Sequence, residues 1–327
     1  MAMLATGPLW AVHSTATLDG DAPARLLDLG TLGRLLSYVA LLALSGAWWA
    51  SVLLVPRARR LTPSAAWRPF ADQLWRIGRG AACLLLAATL LRGATQMMSL
   101  MDPAEPMTMP WLGIVVSSTT WGRGWSVQVV VAVLAIWCWR ADVMPDARAT
   151  ALALLAALGA GVADALTGHG MGGEWGGPIG VSLHAVHLLG AGLWLGTLAV
   201  LPWPLYGRSS ADRRALAAPL FRALPPLALT GSALVVGAGA LMGLEYVGGW
   251  RALRALQERY AQLLALKIVV VLLIVALGAW HWRRSVPTLG RSDSDMRFRR
   301  TLGAELLLAL LVVLLSAILV ALPAAGV

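Results

Sequence analysis

The sequence predicts an all-α, polytopic bundle of transmembrane helices. Hydrophobic residues make up 58% of the chain and charged residues only 13%. The hydrophobic residues gather in about eight long runs, and a helix needs about 20 mostly apolar residues to cross a bilayer. Short connections between the runs leave no room for a sizeable soluble domain. The fold class therefore follows from composition and spacing together.

The apolar runs set the expected membrane spans, of which the third and fourth are the shortest. They cover residues 31–55, 77–100, 125–140, 149–167, 181–203, 223–244, 260–282 and 302–323. We predict a short periplasmic segment at 1–30 and one helix-bundle domain over 31–327. The first segment does not resemble a cleaved signal peptide, because it lacks a basic start and its apolar run is interrupted by Pro8 and His13.

The charge pattern predicts how the bundle is oriented. The net charge is +10, and all but one of the 26 basic residues are arginine. In a soluble protein this charge would suggest nucleic acid, but here the arginines concentrate in alternate connections, chiefly 56–79, 208–222 and 283–300. Cytoplasmic connections of membrane proteins are rich in arginine and lysine. We therefore predict a multi-pass protein of the bacterial inner membrane with both termini periplasmic, surrounded by lipid and binding no nucleic acid.

Two histidines mark the outer end of the fifth span. His184 and His187 are three residues apart and so share one helical face. The preceding glycine-rich segment supplies His169, Met171 and Glu174. Ionisable residues at membrane depth are functional candidates, so we interpret this group as ligands of one metal ion. The alternative is that the two helical histidines pack against neighbours and bond to backbone carbonyls.

A methionine-rich segment follows the second span, with five methionines within thirteen residues. They are Met97, Met98, Met101, Met107 and Met109. Thioethers suit Cu(I), and imidazole suits copper in general. The segment is therefore a candidate for copper capture in the periplasm. The alternative is a flexible apolar loop that packs on the bundle.

Four charged residues fall within the apolar runs: Arg92, Asp164, Lys267 and Glu305. They form either a polar path for ions or protons, or structural bonds between helices. Asp164 is the candidate partner of Arg92, because both lie near the outer ends of their spans. Lys267 and Glu305 lie at different depths, so we do not expect them to pair.

Three further residues lie toward the cytoplasmic side: Cys83, Cys138 and His281. Thiolates select Cu(I), so these residues are candidate exit ligands for a soft metal. Packing as small apolar side chains is the alternative for both cysteines. Two such cysteines indicate neither a disulfide framework nor a zinc motif.

Several segments resemble the copper-resistance protein D (CopD) family of bacterial inner-membrane proteins. They are TGHG, TTWGRGW, LHAVHLLGAGLWLGTL, LKIVVVLLIVALGAWHWRR and LGAELLLALLVVLLSAILVALP. The resemblance is strongest over 149–323, above all in the run from His187 to Gly196. It implies periplasmic copper handling with movement toward the cytoplasm. It further implies roles for His169, His187, Trp194, Gly196, Lys267 and Glu305. Some relatives carry an extra periplasmic copper domain that this chain lacks, so a separate periplasmic copper-binding protein is an expected partner.

The sequence therefore predicts a copper-binding membrane protein, and not an enzyme, that takes Cu(I) or Cu(II) from the periplasm. Two alternatives stay open: a b-type haem protein that transfers electrons through histidine-ligated iron, and a factor that delivers copper for oxidase assembly without transport. Neighbouring histidines on one helix suit a small ion better than haem. The chain has no Gly-x-x-x-x-Gly-Lys-Ser/Thr loop, which disfavours ATP-driven pumping. The oligomeric state is left open.

Overall fold

The computed structural model describes residues 28–101, 108–139, 147–167, 176–206, 208–246, 259–285 and 292–322. Regular structure in these ranges is helical throughout, and they contain no strand. The helices are α1 (Leu29–Trp49), α2 (Val55–Leu61), α3 (Trp67–Leu100), α4 (Met109–Ser118), α5 (Thr120–Cys138), α6 (Ala147–Leu166), α7 (Gly176–Ala191), α8 (Thr197–Val200), α9 (Pro202–Leu205), α10 (Ser210–Ala223), α11 (Pro225–Tyr246), α12 (Arg259–Trp280) and α13 (Ser292–Leu319). Three π-helical segments interrupt this order: π1 (Ala50–Leu54), π2 (Gly192–Gly196) and π3 (His281–Ser285).

Seven helical stretches within the described residues are long and apolar enough to cross a membrane. They are Leu29–Leu61, Trp67–Leu100, Thr120–Cys138, Gly177–Leu205, Pro225–Leu244, Arg259–Arg284 and Arg300–Leu319. This confirms the all-α polytopic bundle. The fourth predicted span corresponds to α6, whose apolar part, Thr150–Leu166, is shorter than the other seven stretches.

Part of the methionine-rich segment is helical rather than a loop. Met97 and Met98 lie in the last turn of α3, and Met109 begins α4. The hydroxyl of Thr108 caps α4 by accepting a hydrogen bond from the Trp111 N–H. The α4 helix is therefore a local element that the hydropathy of longer windows does not reveal.

Helix α1 lies at the centre of the bundle, where it contacts α3, α6, π2 and α13. Where α1 crosses π2, Gly46 lies against Gly196, and a Cβ atom on either glycine would overlap the other helix. Small residues at such crossings allow the backbones of membrane helices to pack directly. Because π2 continues α7, this contact fixes α7 against the central helix.

The two ends of the bundle differ in charge. One end, which we call the arginine-rich end, exposes Arg57, Arg59, Arg60, Arg68, Arg283 and Arg284. A large apolar cluster seals this end and includes Trp67, Phe70, Leu201 and Leu216. At the other end, which we call the opposite end, α1 begins and α3 finishes. The predicted functional residues divide between these two ends.

Candidate functional site

Asp164 is the centre of a buried polar group at the opposite end, which we call the Asp164 cluster. Its Oδ1 atom lies 2.8 Å from Nη1 of Arg92 and accepts a hydrogen bond from Gln128 Nε2 at 3.3 Å. The second guanidinium nitrogen of Arg92 donates to Thr167 Oγ1 at 2.9 Å. Arg92 is 7% exposed and Asp164 is 2% exposed. A buried charge is tolerated only when it is paired, and the pairing expected for these two residues is the one observed.

The second carboxylate oxygen of Asp164 faces His184, the fifth member of the Asp164 cluster. His184 Nε2 lies 3.5 Å from Asp164 Oδ2. This nitrogen is buried and has no hydrogen-bond partner among the described residues. The separation is long for a hydrogen bond. However, two donors that are each about 2.1 Å from a shared ion in tetrahedral geometry lie about 3.4 Å apart. The separation is therefore compatible with two donors of one metal ion.

His187 has a different environment from His184. Its Nδ1 atom lies 3.0 Å from the carbonyl oxygen of Val235 on α11, and its ring lies against Gly239. Since a carbonyl only accepts, Nδ1 carries the proton, and Nε2 of the neutral ring is left with the lone pair. The sequence hypothesis placed both imidazoles on one ion, but the structure turns His184 toward α6 and His187 toward α11. Within the described ranges, no three His, Cys, Asp or Glu side chains form a metal-binding group.

The other candidate capture ligands lie at the opposite end or outside the described residues. Met98 and Met109 are 66% and 82% exposed, and Met97 and Met101 are half-buried. His169, Met171, Glu174 and Met107 lie outside the described ranges. Copper capture by these side chains stays a prediction.

Lys267 and Glu305 do not pair, as the sequence indicated. Lys267 is half-buried on α12, within electrostatic range of His187. Glu305 on α13 contacts His281 instead, with its Oε2 atom 2.9 Å from His281 Nδ1. His281 is 6% exposed and Glu305 is 3% exposed. The bundle therefore contains a second buried carboxylate–imidazole pair, at the arginine-rich end.

This second pair lines a cavity of about 320 Å³ between α11, α12, π3 and α13. Ser232 and Arg283 supply further polar groups, and Trp194 of π2 forms part of the wall. A site for a small ligand typically begins at about 300 Å³. The cavity is therefore large enough for an ion together with water or a small molecule.

The candidate exit ligands are not brought together. Cys83 is exposed on α3. Cys138 is buried in an apolar cluster with Trp75 and Trp139, whose rings stack at 4.1 Å. His281 lies on π3, away from α3 and α5, and lines the cavity. The two thiols thus lie on packing or outer faces of α3 and α5, whereas His281 lines the cavity.

Sequence reasoning missed Gln128 and Thr167. Gln128 is fully buried on α5, and an amide within an apolar span is itself a signal of a polar interior site. Thr167 follows Asp164 by three residues and bonds to its carbonyl oxygen. Both could have been proposed as partners once Arg92 and Asp164 were paired.

Two family profiles match this chain, and together the matched ranges include polar residues from both ends of the bundle. Residues 26–178 match the profile of the copper resistance protein D-like N-terminal domain, which includes Arg92, Gln128 and Asp164. Residues 218–319 match copper resistance protein D, and this range includes Lys267 and the His281–Glu305 pair. His184 and the run from His187 to Gly196 lie between the two matched ranges, although this run appeared to carry the strongest resemblance. No curated protein and no solved structure matches the chain.

The two matched ranges cover most of the seven long apolar helices. Together with the helical bundle, they show that the chain is a multi-pass inner-membrane protein of the copper resistance protein D family.

Proposed function

We propose that this protein takes copper from the periplasm and moves it toward the cytoplasm, and that Asp164 and His184 bind the ion first. The observation that carries the proposal is the approach of His184 Nε2 to 3.5 Å from Asp164 Oδ2. Copper is the transported substrate, and the proposal includes no catalytic step. A separate periplasmic copper-binding protein is the proposed donor.

The charge of the Asp164 cluster favours Cu(I) as the transported species. The guanidinium of Arg92 already balances the carboxylate of Asp164, so a bound ion adds its full charge to a buried site. Burying one uncompensated charge costs less than burying two. The methionines at the same end offer soft thioether ligands, which also suit Cu(I).

His187 is the proposed transfer ligand on α7, which receives copper from His184. It follows His184 by about 4.5 Å along the helix axis, at 1.5 Å per residue. Its Nδ1 bond to Val235 fixes the ring, and metal-binding histidines commonly use the other ring nitrogen in this way. Transfer from His184 to His187 would move copper toward the interface of α7 with α11.

The described histidines do not support the haem alternative. His184 faces Asp164, His187 faces Val235 and His281 faces Glu305. Axial haem ligands approach one iron from opposite sides, and these three rings are directed at three different helices. The delivery alternative shares the first binding step and differs only in lacking transport.

Copper uptake into proteoliposomes tests the proposal. The full chain is reconstituted with a Cu(I) indicator inside, and Cu(I) is supplied outside as a chelator complex. We expect His184→Ala to lower the initial uptake rate at least tenfold. Val186→Ala, at an exposed position on the same helix, serves as the matched control and should transport like the unmodified protein.

Each outcome of this assay has a distinct meaning. Equal uptake by His184→Ala and the unmodified protein would remove His184 from the site. Stoichiometric copper binding without uptake would identify a delivery factor. A Soret band in the purified protein would support the haem alternative.

A further inference from the structure

The carboxylate–imidazole pair at the arginine-rich end resembles an oriented metal ligand. His281 Nδ1 donates to Glu305 Oε2 at 2.9 Å, which fixes both the ring orientation and the tautomer. In the neutral ring the lone pair then belongs to Nε2. Metal-ligating histidines are commonly held in this way by a carboxylate, which also raises the basicity of the ligand. The pair therefore has the chemistry of a ligand and its positioning residue.

The position of the pair gives this chemistry a location. Both side chains line the cavity of about 320 Å³, whereas a water molecule occupies about 30 Å³ of liquid. The cavity thus has space for an ion with several waters or a small copper acceptor. His281 is the first residue of π3, the π-helical turn in which the span of α12 ends.

The cavity also lies on the helix interface that contains His187. Trp194, which forms part of its wall, follows His187 by about 10 Å along the α7–π2 axis. Gly231 of α11 packs against Trp194, and Val235 one turn further along α11 bonds to His187. One continuous interface between α7 and α11 therefore joins His187, the proposed transfer ligand, to the cavity.

We infer that His281 is a copper ligand at the arginine-rich end, positioned by Glu305, and that the cavity holds the ion before its release. This inference rests on the proposed function and extends it to a second site. Arg283 borders the cavity and is exposed. Its charge disfavours a bound cation, although solvent ions screen it. Within this inference we assign the His281 site the weaker affinity of the two, as release requires.

Copper titration of the purified full chain in detergent tests the second site. Bound Cu(I) is counted by atomic emission against a competing chelator. We expect two ions bound at equilibrium in the unmodified protein, one at the Asp164 cluster and one at His281, with the weaker one lost in His281→Asn. His187 passes copper between these two sites and does not retain it. The His281→Asn variant keeps a nitrogen donor for Glu305 but removes the position of Nε2, so the bond between π3 and α13 is retained.

Two further variants separate positioning from structure. Glu305→Gln should lower the affinity for the second ion by about 10- to 100-fold, and Glu305→Asp should recover part of this loss of affinity. Ser232→Ala changes the same cavity wall without touching the pair and is the matched control. A purely structural role for Glu305 would lower the melting temperature of the copper-free protein without this ranking of affinities.

The outcomes distinguish the second site from the proposed function itself. Retention of both ions by His281→Asn would overturn the second site and leave the first intact. Loss of the stronger ion in His184→Ala, with the weaker ion retained, would support two separate sites. An unmodified protein that binds no copper would overturn both proposals.

Discussion

Oδ1 of Asp164 lies 2.8 Å from Nη1 of Arg92, which joins α6 to α3 across 72 residues of sequence. Both side chains are buried, and Gln128 from α5 donates to the same carboxylate oxygen. Three helices are therefore tied together at one oxygen atom. The other oxygen, Oδ2, is left facing His184, so one carboxylate serves both the fold and the proposed copper site.

Asp164→Asn should destabilise the protein strongly, because it leaves the Arg92 guanidinium buried without a counter-charge. Removing one partner of a buried ion pair costs about 3–5 kcal/mol. The double variant Arg92→Gln with Asp164→Asn should recover part of this loss. Arg68→Gln, at an exposed position on α3, the helix of Arg92, is the control and should change stability by no more than about 0.5 kcal/mol. Unfolding in detergent measures all four proteins, and an Asp164→Asn variant as stable as Arg68→Gln would contradict the prediction.

Composition and the spacing of apolar runs were sufficient to predict the bundle, because a membrane permits few alternatives to helices. The pairing of Arg92 with Asp164 was also predictable, since two buried opposite charges at similar depth stabilise each other. The directions of the histidine rings could not be predicted from the sequence. His187 finds its partner on Val235, 48 residues away, and the rotation of α7 against α11 depends on packing. Helical spacing alone cannot tell which neighbour each ring faces.

The contact between Gly46 and Gly196 should tolerate no added methyl group. Gly46→Ala would place a Cβ atom 2.6 Å from the backbone nitrogen of Thr197, so α1 and π2 would have to separate. Overpacking of this kind costs about 1–3 kcal/mol. Gly237→Ala is the matched control, because nothing lies within 4 Å of its added Cβ. Melting temperatures should therefore fall for Gly46→Ala only, and equal values for the two variants would refute the close crossing.

His187→Asn separates a copper ligand from a packing residue. Asparagine keeps a donor close to the position of Nδ1, so the bond to Val235 is retained, but it lacks Nε2. We expect His187→Asn to melt near the unmodified protein and to transport copper at least tenfold more slowly. His187→Ala should lose both stability and transport. Normal uptake by His187→Asn would show that His187 serves packing alone.

The start of α1 should depend on pH through Asp28. Partial burial acts to raise the pKa of Asp28, but hydrogen bonds from Thr31 and the charge of Arg34 outweigh it and lower the pKa below its usual value. When the pKa of a carboxyl group is lower in the folded state, ionisation of that group stabilises the protein at a pH above its ordinary pKa. This stabilisation is lost as the pH falls through the folded-state pKa.

Two variants test this helix cap. At neutral pH, Asp28→Ala should cost about 0.5–2 kcal/mol, because it removes the acceptor for the Thr31 N–H. Asp28→Asn keeps the cap without a titrating charge. The stability difference between the unmodified protein and Asp28→Asn should therefore shrink below about pH 4, near the usual aspartate pKa. A difference that stays constant from pH 7 to pH 3 would count against this titration.

The direction of transport depends on which end of the bundle faces the cytoplasm, and the arginine distribution predicts that the arginine-rich end does. Single cysteines test this after Cys83 and Cys138 are replaced by alanine. Ser118→Cys reports on the opposite end and Thr62→Cys on the arginine-rich end, since both positions are exposed. A membrane-impermeant maleimide should label Ser118→Cys in intact spheroplasts and Thr62→Cys only after permeabilisation. The reverse pattern would turn the Asp164 cluster toward the cytoplasm, and the same two sites would then describe export.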